Sequence, residues 1–320
     1  MRIEPAARFD MLRHTPLHKA AKTMPPVKSN LPGVVMALAA FAVFASHDAA
    51  IKSLGGRYSV VQIVFYAQAV GLPIALAVLL AKGGVASLRP RHLGLVALRT
   101  VAVCLAAAGA FYAFGQLPLA QTYAILFSTP LIISALSVPI LRERVGPRRA
   151  LAIVVGMCGV LIALRPGAAP LELGHLAALI SAFGAATAAV LTRRLRGRER
   201  VSVLLIYPML TNLIMMGLFL PALHQPMPLP DIGLMVYVGV CALVAMGLMI
   251  RAYTMAEAAL VAPMQYSQIL WAAFYGAVFF AEWPTVYTLL GAALVIASGV
   301  YIVMRELTLR APQSGQAPAP

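Results

Sequence analysis

Apolar residues arrive along this chain in blocks of roughly 18–23, long enough as helices to cross a hydrocarbon core of about 30 Å. No block shows the alternation over about ten positions that marks a strand of a membrane β-barrel. The pattern predicts helices near residues 33–52, 60–81, 95–115, 119–141, 148–164, 174–193, 203–222, 233–252, 259–281 and 285–304. The expected fold is therefore an all-α integral membrane protein with ten transmembrane helices. Pro73, Pro130, Pro139 and Pro208 fall inside blocks, where a membrane helix tolerates them because neighbours re-satisfy the freed carbonyls. Residues 1–30 are basic and polar and lack an apolar segment followed by a small-residue cleavage site, so they read as a poorly ordered cytoplasmic tail and not as a cleavable signal. Residues 306–320 read as a second disordered tail, rich in Pro, Ala and Gln.

Composition changes the picture little. Charged residues make up 11% of the chain, against about a quarter in a soluble domain. A formal charge of +15 suggests nucleic acid at first sight, but its placement argues otherwise. With the N-terminus on the cytoplasmic side, every Lys and Arg except Lys52, Arg57 and Arg165 lies on that side, the asymmetry expected of a multi-pass inner-membrane protein with both termini cytoplasmic. Cys104, Cys158 and Cys241 sit inside apolar blocks with neither metal-ligand spacing nor a paired framework.

The two halves echo each other. Shifting 113–143 by 139 positions brings Ala113, Ala120, Ser128, Leu131 and Glu143 onto Ala252, Ala259, Ser267, Leu270 and Glu282. A shift of 141 brings Gly33, Ser46 and Lys52 onto Gly174, Thr187 and Arg193. Two repeats follow, 31–165 (helices 1–5) and 174–305 (helices 6–10). Five is odd, so the second repeat starts from the opposite side and the two are inverted, an architecture of secondary transporters that bind substrate between the halves.

The stretches FASHDAAIKSLGGRYSVVQIVFY (44–66), YAFGQLPLAQTYAILFSTPLIISALSVPILRERV (112–145) and LVAPMQYSQILWAAFYGAVFFAEWP (260–284) resemble the EamA-type family of the drug/metabolite transporter (DMT) superfamily, with the S-adenosylmethionine-transporter-like branch the nearest pattern. The resemblance implies alternating access around a cavity lined by helices 1, 3, 4, 6, 8 and 9. Many members carry Arg in helix 2 where this chain has Ala67 beside Gln68, which weakens the carry-over of an anion-binding role to that helix.

Ionisable side chains within a membrane helix cost about 2.5–3.5 kcal/mol on insertion scales and so point to function. Here they are His47 and Asp48, read as a coupling or gate pair with Lys52 and Arg251. A structural alternative stands beside this: Asp48 and Lys52 are four apart and can pair on one helix face. Helix 4 offers Gln121, Tyr123 and Ser128; helix 9 offers Gln265, Tyr266, Gln268, Trp271 and Tyr275; Tyr112 lies on helix 3. Gln265, Gln268 and Tyr275 share one helical stripe, suited to reading polar groups and stacking on a ring. Such residues equally glue helices together. Glu143 and Glu282 read as fixing loop structure. No Walker loop, dinucleotide fingerprint, HExxH or nucleophile elbow is present, so no cofactor is expected. The expectation is a secondary transporter of a small polar metabolite, driven by a substrate gradient or by protons, as monomer or homodimer. The alternative is an intramembrane enzyme acting on a lipid-linked group.

Overall fold

A computed structural model of the chain describes residues 31–81, 88–142, 146–165, 171–256 and 258–310. Their regular structure is helical: α1 (Leu31–Gly55), α2 (Val60–Ala81), α3 (Leu93–Gln116), α4 (Leu119–Leu126), α5 (Thr129–Leu141), α6 (Pro147–Leu164), α7 (Leu173–Leu195), α8 (Val201–Leu223), α9 (Leu229–Met255), α10 (Ala258–Val261), a 3₁₀ turn (Ala262–Ser267), α11 (Gln268–Phe280) and α12 (Val286–Arg310). Among the described residues, seven segments are long and apolar enough to cross a membrane, Leu119–Leu141 counting as one. Ala150–Leu164 and Val286–Ile302 are shorter apolar helices. Large apolar side chains such as Leu218, Phe219, Leu270 and Phe279 lie exposed on the outside of the bundle. A soluble protein hides such residues; in lipid they face their own solvent.

Two of the expected helices are broken. Pro130 opens α5 and Pro263 opens the 3₁₀ turn; each lacks a backbone N–H and fits a first turn better than a helix interior. The breaks occupy corresponding places. Adding 139 to the bounds of α4 start, α5 and α6 start gives those of α10 start, α11 and α12 start. Both α5 and α11 are preceded by a serine in helical conformation, Ser128 and Ser267, and both end on a left-handed residue, Arg142 (φ 57°) and Ala281 (φ 54°).

The most extensive packing joins α3 to α7, α1 to α9, α6 to α12 and α2 to α8. Small residues allow it. A Cβ on Gly109 would lie 2.6 Å from the Ala177 carbonyl oxygen, and one on Gly159 2.7 Å from that of Gly291, so α3–α7 and α6–α12 touch backbone to backbone. The main core gathers Ile51, Leu54, Phe114, Phe127 and Leu131 around the α4–α5 and α11 segments.

Polar bonds fasten both ends of the bundle. Where α1 finishes, Arg57 pairs with Asp231 (2.7 Å), Tyr58 donates to Asp231 (2.6 Å), and Gln62 exchanges two bonds with the Gln225 backbone (2.8 and 2.9 Å). That bond to Asp231 is the main reason, ahead of burial, that the Tyr58 phenol titrates above its usual range. At the other end, Arg99 donates to Thr192 (2.7 Å) and to the Leu204 carbonyl (2.6 Å). There Glu199 accepts from the backbone N–H groups of Arg91 (2.7 Å), His92 (3.1 Å) and Arg200 (3.1 Å). Burial pushes the Glu199 carboxyl up, but the three donors outweigh it and hold it below the usual range.

Candidate functional site

The apolar length of α1 carries one acidic side chain. Asp48 is 9% exposed, and α1 runs on to Gly55, so Asp48 lies about 10 Å from the helix end, deeper than the four residues expected from a helix ending at 52. Its carboxylate meets His47 Nδ1 at 2.7 Å and accepts a hydrogen bond from the Tyr123 hydroxyl of α4. Gln268, the first residue of α11, reaches the same hydroxyl from the other half of the chain at 3.4 Å. Aromatic rings wall the group: His47 stands edge-on to Phe111, and Tyr123 packs between Phe114 and Phe127, with Phe127 edge-on to Tyr266. A carboxylate so placed satisfies the rule that buried charge must be paired or hydrogen-bonded.

On another face of α1 lies a cavity of about 410 Å³ between α1, α9 and α11, lined by none of these cluster residues. Ser46, Ala49 and Ser53 form one wall, and Tyr237, Tyr275 and Phe279 face them. The Tyr237 hydroxyl donates to Ser46 Oγ at 2.9 Å. Along α11, Trp271, Tyr275 and Phe279 recur every four residues and stack, centroids 6.5 and 6.0 Å apart, so the ladder runs into the cavity. Among the described residues no charged side chain lines the cavity.

The sequence candidates are thus divided. His47, Asp48, Tyr123 and Gln268 meet in one cluster, with Tyr266 against its wall; Tyr275 lines the cavity and Trp271 stacks on it. Gln265 lies in the 3₁₀ turn before α11, so the expected stripe through Gln265, Gln268 and Tyr275 is not one helical face. Gln121 lies apart, its side-chain amide 3.1 Å from His175 Nε2, while His175 Nδ1 accepts from the Glu172 N–H (3.0 Å). Ser128 is fully buried, and neither its hydroxyl nor that of Ser267 has a hydrogen-bond partner among the described residues. Tyr112 is half-buried in α3, and Arg251 is exposed near the end of α9.

Lys52 does not pair with Asp48. It binds Glu282 Oε1 at 2.8 Å and donates to the Leu117 carbonyl at 2.8 Å, while Glu282 Oε2 accepts from the Leu119 N–H (3.3 Å) at the start of α4. Glu282 thereby fixes local structure, as expected, and also joins the two halves; Glu143 lies outside the described residues. Local spacing could not show that Lys52 meets Glu282, that Arg57 meets Asp231, or that Tyr237 completes the cavity, because each partner lies far along the chain. Among the described residues no group of three His, Cys, Asp or Glu side chains could hold a metal ion.

Comparison with known proteins agrees with this construction. A solved crystal structure superimposes with a TM-score of 0.57 over 88% of this chain and 98% of its own, at 15% identity, a likeness of fold alone. The pseudopaline exporter of Pseudomonas aeruginosa is 27% identical over 88% of this chain and 97% of its own length. A riboflavin transporter of Rhizobium johnstonii is 30% identical over 68% of this chain and 76% of its own. An S-adenosylmethionine uptake transporter of Rickettsia bellii is 24% identical over 61% and 67%. The family model of EamA-like transporters matches residues 31–165 and again 172–305, so this chain is a multi-pass membrane protein that belongs to the EamA-like transporter family.

Proposed function

We propose that the chain is a secondary active transporter that moves a small polar metabolite by alternating access, with its two five-helix repeats inverted in an inner membrane and both termini cytoplasmic. The observation that carries this reading is the Asp48 cluster, a buried carboxylate bonded to Tyr123, whose hydroxyl Gln268 reaches from the second half; a cavity of about 410 Å³ lies on another face of the same helix. Helix pairing supports a two-fold relation between the halves, and the odd number of helices in each repeat makes that relation an inversion. Exchanging first-half helices for their second-half counterparts turns the α1–α9 pair into α7–α3 and returns α2–α8 and α6–α12 to themselves, as a two-fold relation requires. The lack of charge on the cavity wall and the Trp271–Tyr275–Phe279 ladder favour a solute with a flat ring. Riboflavin and S-adenosylmethionine, named for two relatives, both carry one. In this reading Asp48 takes up and releases a proton with His47 as neighbour, and that change of charge loosens Tyr123 and Gln268 across the interface between halves.

Uptake into proteoliposomes of a panel of ring-bearing polar metabolites, with and without a pH gradient, tests this. Transport accelerated by the gradient, and an Asp48→Asn variant that still exchanges solute but ignores the gradient, is the expected outcome. Folded protein that moves none of the panel would count against transport; gradient dependence that survives in Asp48→Asn removes Asp48 from the coupling.

A further inference from the structure

One seam carries chemistry that the transport site does not use. Between α3, α5 and α7 runs an apolar crevice of about 490 Å³, walled by Leu98, Leu105, Ile132, Phe183 and Thr187 and open to the outside of the bundle. Leu98, Leu105 and Phe183 are more than half exposed there. Further along the same α5–α7 seam lies a groove of about 570 Å³, walled by Ile140 and Leu141 on one side and by Arg142, Arg194 and Arg198. From Thr187 to Arg194 is seven residues of α7, about 10 Å.

The groove is built for negative charge. All three arginines are exposed, and no ion pair among the described residues involves them. Arg194 Nη1 donates to the Ile140 carbonyl at 3.2 Å, which holds its guanidinium over the groove and leaves its other donors available. The counterpart crevice between α1, α9 and α11 has no cation on its wall among the described residues, and Lys52, next to the lining Ser53, is committed to Glu282. Charge and apolar surface are therefore joined along one seam and not along its counterpart.

We infer that the α3–α5–α7 seam binds an anionic phospholipid, its phosphate held by Arg142, Arg194 and Arg198 and an acyl chain laid in the crevice. A guanidinium cluster recognises phosphate through paired N–H donors, and basic pockets between membrane helices take lipid headgroups of this charge. About 10 Å from arginine to crevice matches the descent from a headgroup into the hydrocarbon, and a soluble anion would have no use for the crevice. The inference rests on the transporter reading only in assigning the seam to the cytoplasmic leaflet.

The test needs no transport and so fails independently of that reading. The full chain in neutral detergent is melted with added phosphatidylglycerol, with phosphatidylcholine of the same acyl chains, and with glycerol phosphate. Phosphatidylglycerol alone should raise the melting temperature, by about 3 °C or more at saturation. Arg194→Gln with Arg198→Gln should abolish the rise, whereas Arg91→Gln with Arg148→Gln should keep it. Leu105→Trp, which fills the crevice and leaves the charges alone, should also abolish it and serves if the arginine variant does not fold. An equal rise with phosphatidylcholine, a rise that persists in the Arg194/Arg198 variant, or one reproduced by glycerol phosphate overturns the proposal, the last in favour of a soluble phosphate ligand.

Discussion

The Lys52–Glu282 pair offers a sharp test of how the halves are held together. At 2.8 Å the two charges attract by about 6 kcal/mol at an effective dielectric constant of about 20. Desolvation offsets much of this, since the side chains keep only 11% and 25% of their exposure. An exposed pair is worth about 0.2–1 kcal/mol, and breaking a fully buried one costs about 3–5 kcal/mol. This pair lies between, nearer the buried limit on the lysine side. Lys52→Met keeps the apolar stem and removes the charge that faces both Glu282 and the Leu117 carbonyl, so it should cost about 3 kcal/mol. Glu282→Gln retains an acceptor for the Leu119 N–H and should cost about 2 kcal/mol. The double variant should cost less than the two together, with a coupling of about 2 kcal/mol. Reversible unfolding of the four proteins in mixed micelles measures each corner of the cycle. Raising salt from 0.1 to 1 M should leave the coupling nearly unchanged, because a buried pair is poorly screened. A coupling below about 0.5 kcal/mol, or one that disappears in salt, refutes the view that this contact fastens the halves.

Two further predictions concern packing and pH. Gly159→Val should destabilise the α6–α12 pair by about 3 kcal/mol or prevent folding, because its Cβ would lie 2.7 Å from the Gly291 carbonyl oxygen and 2.9 Å from Leu294 Cβ; Cys158→Val, on an exposed face of the same helix, should be nearly silent in the same melts. Glu199→Gln should cost about 1 kcal/mol at pH 7, where the carboxylate accepts three backbone bonds. The Glu199 carboxyl is depressed in the folded state, so its stabilisation is complete above the unfolded value of about 4.3 and is lost as pH falls through the folded one. Melting curves should therefore show the gap between wild type and variant closing below about pH 4; a gap constant from pH 7 to pH 3 contradicts the assignment.

Much of the helix layout was legible because hydrophobic length is a local signal. The helix expected at 60–81 is α2, and that expected at 148–164 is α6 to within a residue. The echo at 139 positions, resting on five identities, reappears in helix bounds and in the left-handed caps at Arg142 and Ala281. The breaks in the fourth and ninth blocks were missed because Pro130 was read as tolerated inside a helix and not as opening a new one, and Pro263 was not weighed at all. That misreading put Gln265 on a stripe it does not share. The site was legible as residue types and not as partners. His47, Asp48, Tyr123 and Gln268 were candidates on separate helices, but only the folded chain brings Tyr123 between Asp48 and Gln268. The four-residue rule pointed Lys52 at Asp48; a stronger partner, Glu282, comes from the other end of the chain.

The fastenings at the two ends bear on how the proposed cycle would turn. Near the end of α1, the Lys52–Glu282, Arg57–Asp231 and Gln62–Gln225 contacts each join the first half to the second. At the opposite end, Arg99 and the Glu199 carboxylate do the same between α3 and the α7–α8 segment. Neither end opens without losing several polar bonds, each worth about 1–3 kcal/mol. A solute held at millimolar affinity brings only about 4 kcal/mol, the scale of one or two such contacts. Its binding can then decide which end releases only if the two sets are closely balanced before it arrives, since a ligand shifts an equilibrium by no more than its differential affinity. Asp48 lies between the two sets and is linked to the second half through Tyr123, whose hydroxyl Gln268 reaches. Within the proposed cycle, a change in its charge would be placed to tip such a balance.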